Sequence, residues 1–136
     1  MDGQRKDVLN DVGLLLMRLV FGGTMLLGHG YGKFVNYAKV SANFPDPLGL
    51  GGATTMALAI FAEFFCAILV VLGLATRLAA IPLILTMASA FFIFHSADAF
   101  KDKELALLFL TAFSTLFLTG AGRFSIDGIF RRKMKS

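Results

Sequence analysis

Four apolar stretches, at about 12–30, 54–75, 78–97 and 103–121, take up most of this chain, and each comes near the roughly 20 residues that a helix needs to cross a membrane. Such a pattern leaves few folds open, because in lipid every backbone N–H and C=O must be satisfied within its own segment or in a closed barrel. The runs are continuous rather than alternating, and Leu, Ala, Met and Phe outnumber the β-branched residues in them, which argues for helices and against strands. The expected architecture is all-α, a transmembrane four-helix bundle occupying residues 1–136 as a single membrane domain. Composition agrees, with 57% hydrophobic and 16% charged residues against the roughly 25% charged of an ordinary soluble domain.

The first run follows the charged "MDGQRKDVLND", contains Arg18 and has no small-x-small cleavage site before its end, so it reads as a retained helix rather than a signal peptide. With the N-terminus in the cytoplasm, Arg5, Lys6, Arg77, Arg123, Arg131, Arg132, Lys133 and Lys135 lie inside, against Lys33, Lys39, Lys101 and Lys103 outside. Eight cations against four favour an N-in/C-in, multi-pass topology. The net charge of +4 is mostly this topology signal. The tail "FRRKMK" also suits anionic headgroups, each cation contributing about 1 kcal/mol there. The implied partner is the lipid bilayer, and no nucleic acid is called for.

The connections differ in kind. "GLATRLAA" allows only a tight cytoplasmic turn, whereas 35–53, "VNYAKVSANFPDPLGLGGA", is the one long loop and the place for extramembrane function. Pro45, Pro47 and the following glycines exclude regular helix there. Pro82 is expected in the first turn of the third span, where proline is tolerated.

Polar residues inside the spans carry most information, because a charge near the bilayer centre costs about 2.5–3.5 kcal/mol on insertion scales and needs a partner or water. Arg18 and Glu63 qualify. At 100° per residue, Arg18, Gly22, Met25, His29 and Lys33 fall within about 80° of one another. The segment "GHGYGKF", 28–34, is thus the outer end of a polar stripe as well as a helix terminus. On the second span Glu63, Cys66, Ala67, Val70 and Arg77 share a side, so the most economical bundle turns Arg18 toward Glu63. That pair serves either as a structural latch or in a proton, ion or ligand role. On the fourth span Glu104, Leu108, Thr111, Thr115 and Thr119 form a second polar arc, which either looks inward or consists of threonines back-bonded to carbonyls. At the outer surface His29, Lys33, His95, Asp98, Lys101 and Glu104 are expected to converge. The candidate ligand-binding residues are Arg18, His29, Lys33, Glu63, His95 and Glu104.

The two histidines, without a thiolate cluster, make haem unlikely as a cofactor, and no metal site is expected. Cys66 stands alone, which excludes an intramolecular disulfide or CxxC chemistry. "GGTMLLG" reads as a small-residue helix contact, since no strand precedes it to make a nucleotide loop.

Taken in order, Arg18, "HGYGK" at 29–33, Glu63, "GLATRLAA" and "KELALLFLTAFSTLFLTGAGRFSIDGIF" resemble the DoxX family of small four-helix membrane proteins of bacteria and archaea. The resemblance covers nearly the whole chain. It implies the bundle fold, a bacterial or archaeal cytoplasmic (inner) membrane, and Arg18, Gly30, Lys33, Glu63, Arg77, Glu104, Arg123 and Asp127 as the family's recurrent residues. The family takes its name from subunits associated with a terminal quinol oxidase and with thiosulfate:quinone oxidoreduction, and other members are linked to redox partners.

Two functions follow as expectations. In the first, the chain is a subunit of, or partner to, a membrane redox system, with an intrabundle cavity for a quinone-like or other small molecule. Phe side chains wall that cavity, and Lys33, His29 and Glu104 stand near its outer mouth. The chain carries no flavin or dinucleotide fingerprint and no iron–sulfur cysteine set, so the electrons would come from a redox partner protein or another cofactor. Catalytic residues are not assignable. In the second, the chain is a non-enzymatic membrane component, permease-like or an interaction subunit, with Arg18 and Glu63 as a structural pair. A homo-oligomer is compatible with either.

Overall fold

The first apolar run belongs to a helix longer than the run itself: in the computed structural model, which describes residues 2–136, α1 extends over Asp2–Val35. Its polar opening, before about Asn10, projects beyond the rest of the protein, and no residue of Asp2–Met17 is buried. A short α2, Tyr37–Val40, and a single tight turn, Ser41–Asn43, lead into the proline-rich loop. Then follow α3, Gly52–Leu72; α4, Thr76–Phe94; α5, Phe100–Thr119; and α6, Ile126–Lys135. The chain is helical throughout, with no strand among the described residues.

By length and composition α1, α3 and α4 can each cross a membrane. The expected fourth span differs, because α5 starts at Phe100 and takes Lys101, Asp102, Lys103 and Glu104 into its opening turns. What remains, 105–119, is roughly 22 Å of helix, short of the roughly 30 Å hydrocarbon layer. The third span also starts earlier than expected. Pro82 therefore lies inside α4 rather than in its first turn.

The helices pack in sequence, α1 along α3, α3 along α4 and α4 along α5, while the Arg18 turn of α1 reaches back to α5. Small residues fill the contacts: Ala62, Cys66, Ala67, Ala79 and Ala112 are buried with Met25, Val70, Leu83, Phe113 and Leu116. Many other bulky aliphatic side chains point outward, and Leu27 and Leu118 are each 75% exposed. Small inside and large outside is the arrangement of helices solvated by lipid, where close backbone approach supplies the attraction. At the α1–α3 crossing a Cβ on Gly30 would stand 2.2 Å from the Glu63 carbonyl oxygen, so only glycine fits there.

Both helices widen where they cross. Leu26–Gly30 of α1 and Phe61–Cys66 of α3 are π-helical turns, as are Arg18–Gly22 and, in α4, Ala90–Phe94. Such turns occur often at functional sites. Here they hold His29 and Glu63.

Candidate functional site

Glu63 is buried in the widened turn of α3, and its Oε1 accepts a hydrogen bond from Lys33 Nζ at 3.0 Å. The carboxylate side chain is only 5% exposed and the lysine 26%, so the pair is shielded mainly on the glutamate side. His29, one helical turn before Lys33, lies within electrostatic reach of both charges, and its ring meets Phe109 edge-on at 5.6 Å. The glycines of "GHGYGKF" do not end the helix. Gly30 lets α1 run against the backbone of α3 and so brings Lys33 over Glu63, while Gly28 and Gly32 face open space.

The expected Arg18–Glu63 pair does not form. The Arg18 guanidinium donates from Nη1 to the Ala121 carbonyl at 3.1 Å, and from Nη1 and Nη2 to the Phe124 carbonyl at 2.9 Å each. Those carbonyls follow the end of α5, so Arg18 belongs to the opposite end of the packed helices from Lys33 and Glu63. Arg18, Gly22, Met25, His29 and Lys33 all keep an inward side, but Arg18 lies 15 residues before Lys33, roughly 22 Å along the helix, and cannot reach the level of Glu63. One polar stripe thus becomes two sites.

Around Arg18 two turns lock together. Gly73, at φ 70°, ends α3, and a Cβ there would lie 2.4 Å from Ser125 Cβ and 2.8 Å from Arg18 Nη1. The Asp127 carboxylate accepts the Ala75 and Thr76 N–H groups at 2.8 and 3.0 Å and so caps α4. Ser125 Oγ accepts from Gly128 N–H and caps α6. "GLATRLAA" and "GAGRFSID" are therefore the two halves of one structural joint. The Ser-x-Asp pattern opening α6 was a visible capping signal, but its partner in the other turn was not.

At the Lys33 end, α1, α3, α4, α5 and the proline-rich loop line an open-sided cavity of about 740 Å³. That is large enough for a drug-sized organic molecule. Phe44, Pro45, Pro47, Leu48 and Leu50 supply the loop wall, and Leu85, Phe94, Leu105 and Phe109 supply apolar wall from α4 and α5. Lys33, Glu63 and His29 line one side; His95 and Asp102 also reach it. Asp46, between the two prolines, organises the loop. Its carboxylate accepts from Leu50 N–H at 2.9 Å, Gly51 N–H at 2.7 Å and the Thr55 hydroxyl at 2.9 Å. These bonds hold its carboxyl below the usual aspartate range, the Gly51 N–H contributing most.

One expected participant stands elsewhere. Glu104 is exposed and does not line the cavity; Asp102 does so in its place. The buried face of α5 is Phe109, Ala112, Phe113 and Leu116, which turns Glu104 and Thr111 outward. Thr111 and Thr115 donate back to the Leu107 and Thr111 carbonyls at 2.9 and 2.8 Å. His95 is engaged by Asp98, Nδ1 to Oδ2 at 2.6 Å. No three of His, Cys, Asp and Glu gather into a group able to hold a metal ion among the described residues.

A family model described as DoxX matches residues 13–96, a stretch that includes Arg18, His29, Lys33, Glu63 and His95. A protein of Haemophilus influenzae, described as uncharacterized, is 32% identical over 127 residues, covering 88% of this chain and 92% of the relative. No solved structure matches the chain.

Proposed function

The chain belongs to the DoxX family, and on that premise we propose that it serves a membrane redox system, as a subunit or partner, by holding a quinone-like or similar small molecule in the cavity beside Lys33 and Glu63. The observation that carries this reading is the ion pair itself, charged groups set into a mostly apolar cavity of about 740 Å³. A structural pair needs no cavity, and a lipid-filled void needs no charges. Lys33 Nζ is placed to donate to a carbonyl oxygen of the ligand. Glu63 and His29 can take up or release the protons that accompany reduction of such a ring, while the electrons come from a partner oxidoreductase.

Mass spectrometry of an organic extract of the purified protein tests the proposal. A ring compound of this class is expected from the wild type and should be missing from the Lys33→Met/Glu63→Gln double variant, which removes both charges and keeps the packing. A colourless protein that yields no small molecule and no redox partner would favour the non-enzymatic alternative, a permease-like or interaction subunit.

The topology proposed with this function is a bundle of four spans, N-in/C-in, in a bacterial or archaeal cytoplasmic membrane, with α5 as the short fourth span. Reporter fusions after Arg77 and at the C-terminus should then report cytoplasm, and fusions near Lys39 and Asp102 the outside. An external C-terminus would overturn the arrangement.

A further inference from the structure

α6 is the one long element that the cavity does not use, and its two faces are sharply different. Ile129, Phe130 and Met134 make an apolar stripe that is about half exposed or more, Met134 at 88%, with Lys133 rising between Ile129 and Phe130 and Arg131, Arg132 and Lys135 on the opposite side. Arg131, Arg132, Lys133 and Lys135 are also exposed, so the last turns of the helix carry four cations and no anion. An apolar stripe beside a basic face is the pattern of a helix that lies in the plane of a membrane surface.

The joint beneath α6 sets its depth. Arg18 holds the Phe124 carbonyl, Asp127 caps the first turn of α4, and the Asp127 N–H donates to the Gly73 carbonyl at 2.8 Å. These bonds fasten the start of α6 to the level where α3 ends and α4 begins. The stripe is therefore kept at the rim of the spans.

We propose that α6 docks on the anionic phospholipid surface of the leaflet at the Arg18 end, with Phe130 and Met134 seated among the acyl chains and the four cations among the headgroup phosphates. The occupant is lipid rather than a protein groove because the charge is of one sign and the stripe is narrow. The inference does not depend on what the cavity holds.

The full chain, as Cys66→Ala/Met134→Cys with a polarity-sensitive dye on the new thiol, is placed singly in nanodiscs of phosphatidylcholine with or without phosphatidylglycerol. On the anionic discs the dye should be shielded from aqueous iodide and quenched by nitroxide-bearing lipid. Replacing Arg131, Arg132, Lys133 and Lys135 by Gln should remove the difference between the two compositions, since each cation shifts the docked-to-free ratio about fivefold. A dye equally open to iodide on both discs would overturn the proposal, and so would shielding that ignores lipid charge. Shielding found only in discs holding two copies would assign the stripe to a second copy of the chain instead.

Discussion

Lys33→Met should lower the stability of the protein in detergent by about 3–5 kcal/mol, the cost of leaving a buried charge without its partner, and should move its thermal midpoint by on the order of 10 °C. Glu63 is the charge left behind, with its side chain 5% exposed and its one ion-pair partner at 3.0 Å removed. The reverse change, Glu63→Gln, should cost less, because Lys33 is 26% exposed and its long stem can carry the ammonium toward water. The double variant should recover most of the loss, since two neutral groups of similar shape carry no ionic desolvation penalty. Thermal unfolding of the three variants measures the coupling. Strictly additive losses would show that the two charges do not stabilise one another. A double variant that is stable yet yields no bound molecule would separate the ligand role of the pair from its structural one.

The second large effect is expected at Arg18. Arg18→Met keeps the volume of the side chain but removes three hydrogen bonds from a guanidinium to the Ala121 and Phe124 carbonyls. Bonds to a charged donor contribute about 1.5–3 kcal/mol each before the recovered desolvation is subtracted, so a net loss of roughly 3 kcal/mol is expected. Arg77→Met is the control, because Arg77 is exposed and makes one bond of 3.3 Å to Leu118 O. Its loss should fall within about 0.5 kcal/mol of wild type. Equal effects at the two positions would show that the joint between the 73–76 and 121–128 turns does not depend on the buried arginine. If the joint does depend on it, amide exchange in Arg18→Met should speed up at Ala75, Thr76 and Gly128 and leave the Lys33 end unchanged.

The amino-acid sequence by itself determined the medium and the elements. Continuous apolar runs leave the chain no way to satisfy its backbone except as helices, and that physics is local, so the three long apolar helices, the tight "GLATR" turn and the irregular proline-rich loop are legible in order, whereas α2 and the polar α6 are not. The special character of Arg18 and Glu63 was legible too, because a charge in an apolar run demands a partner whatever the fold, and Lys33 was legible as the outer end of the same stripe. Which partner each charge takes was decided only in three dimensions. Counting 100° per residue places Arg18, His29 and Lys33 on one stripe, and all three do keep an inward side, but the count says nothing of depth: Arg18 and Lys33 are roughly 22 Å apart along the helix and meet different neighbours. Gly30 then brings α1 onto the carbonyl of Glu63 and hands the carboxylate to Lys33, while Arg18 finds carbonyls more than a hundred residues away. Backbone carbonyls are invisible acceptors in a sequence, since every residue has one; only packing decides which are left free at a helix end and turned toward a buried guanidinium.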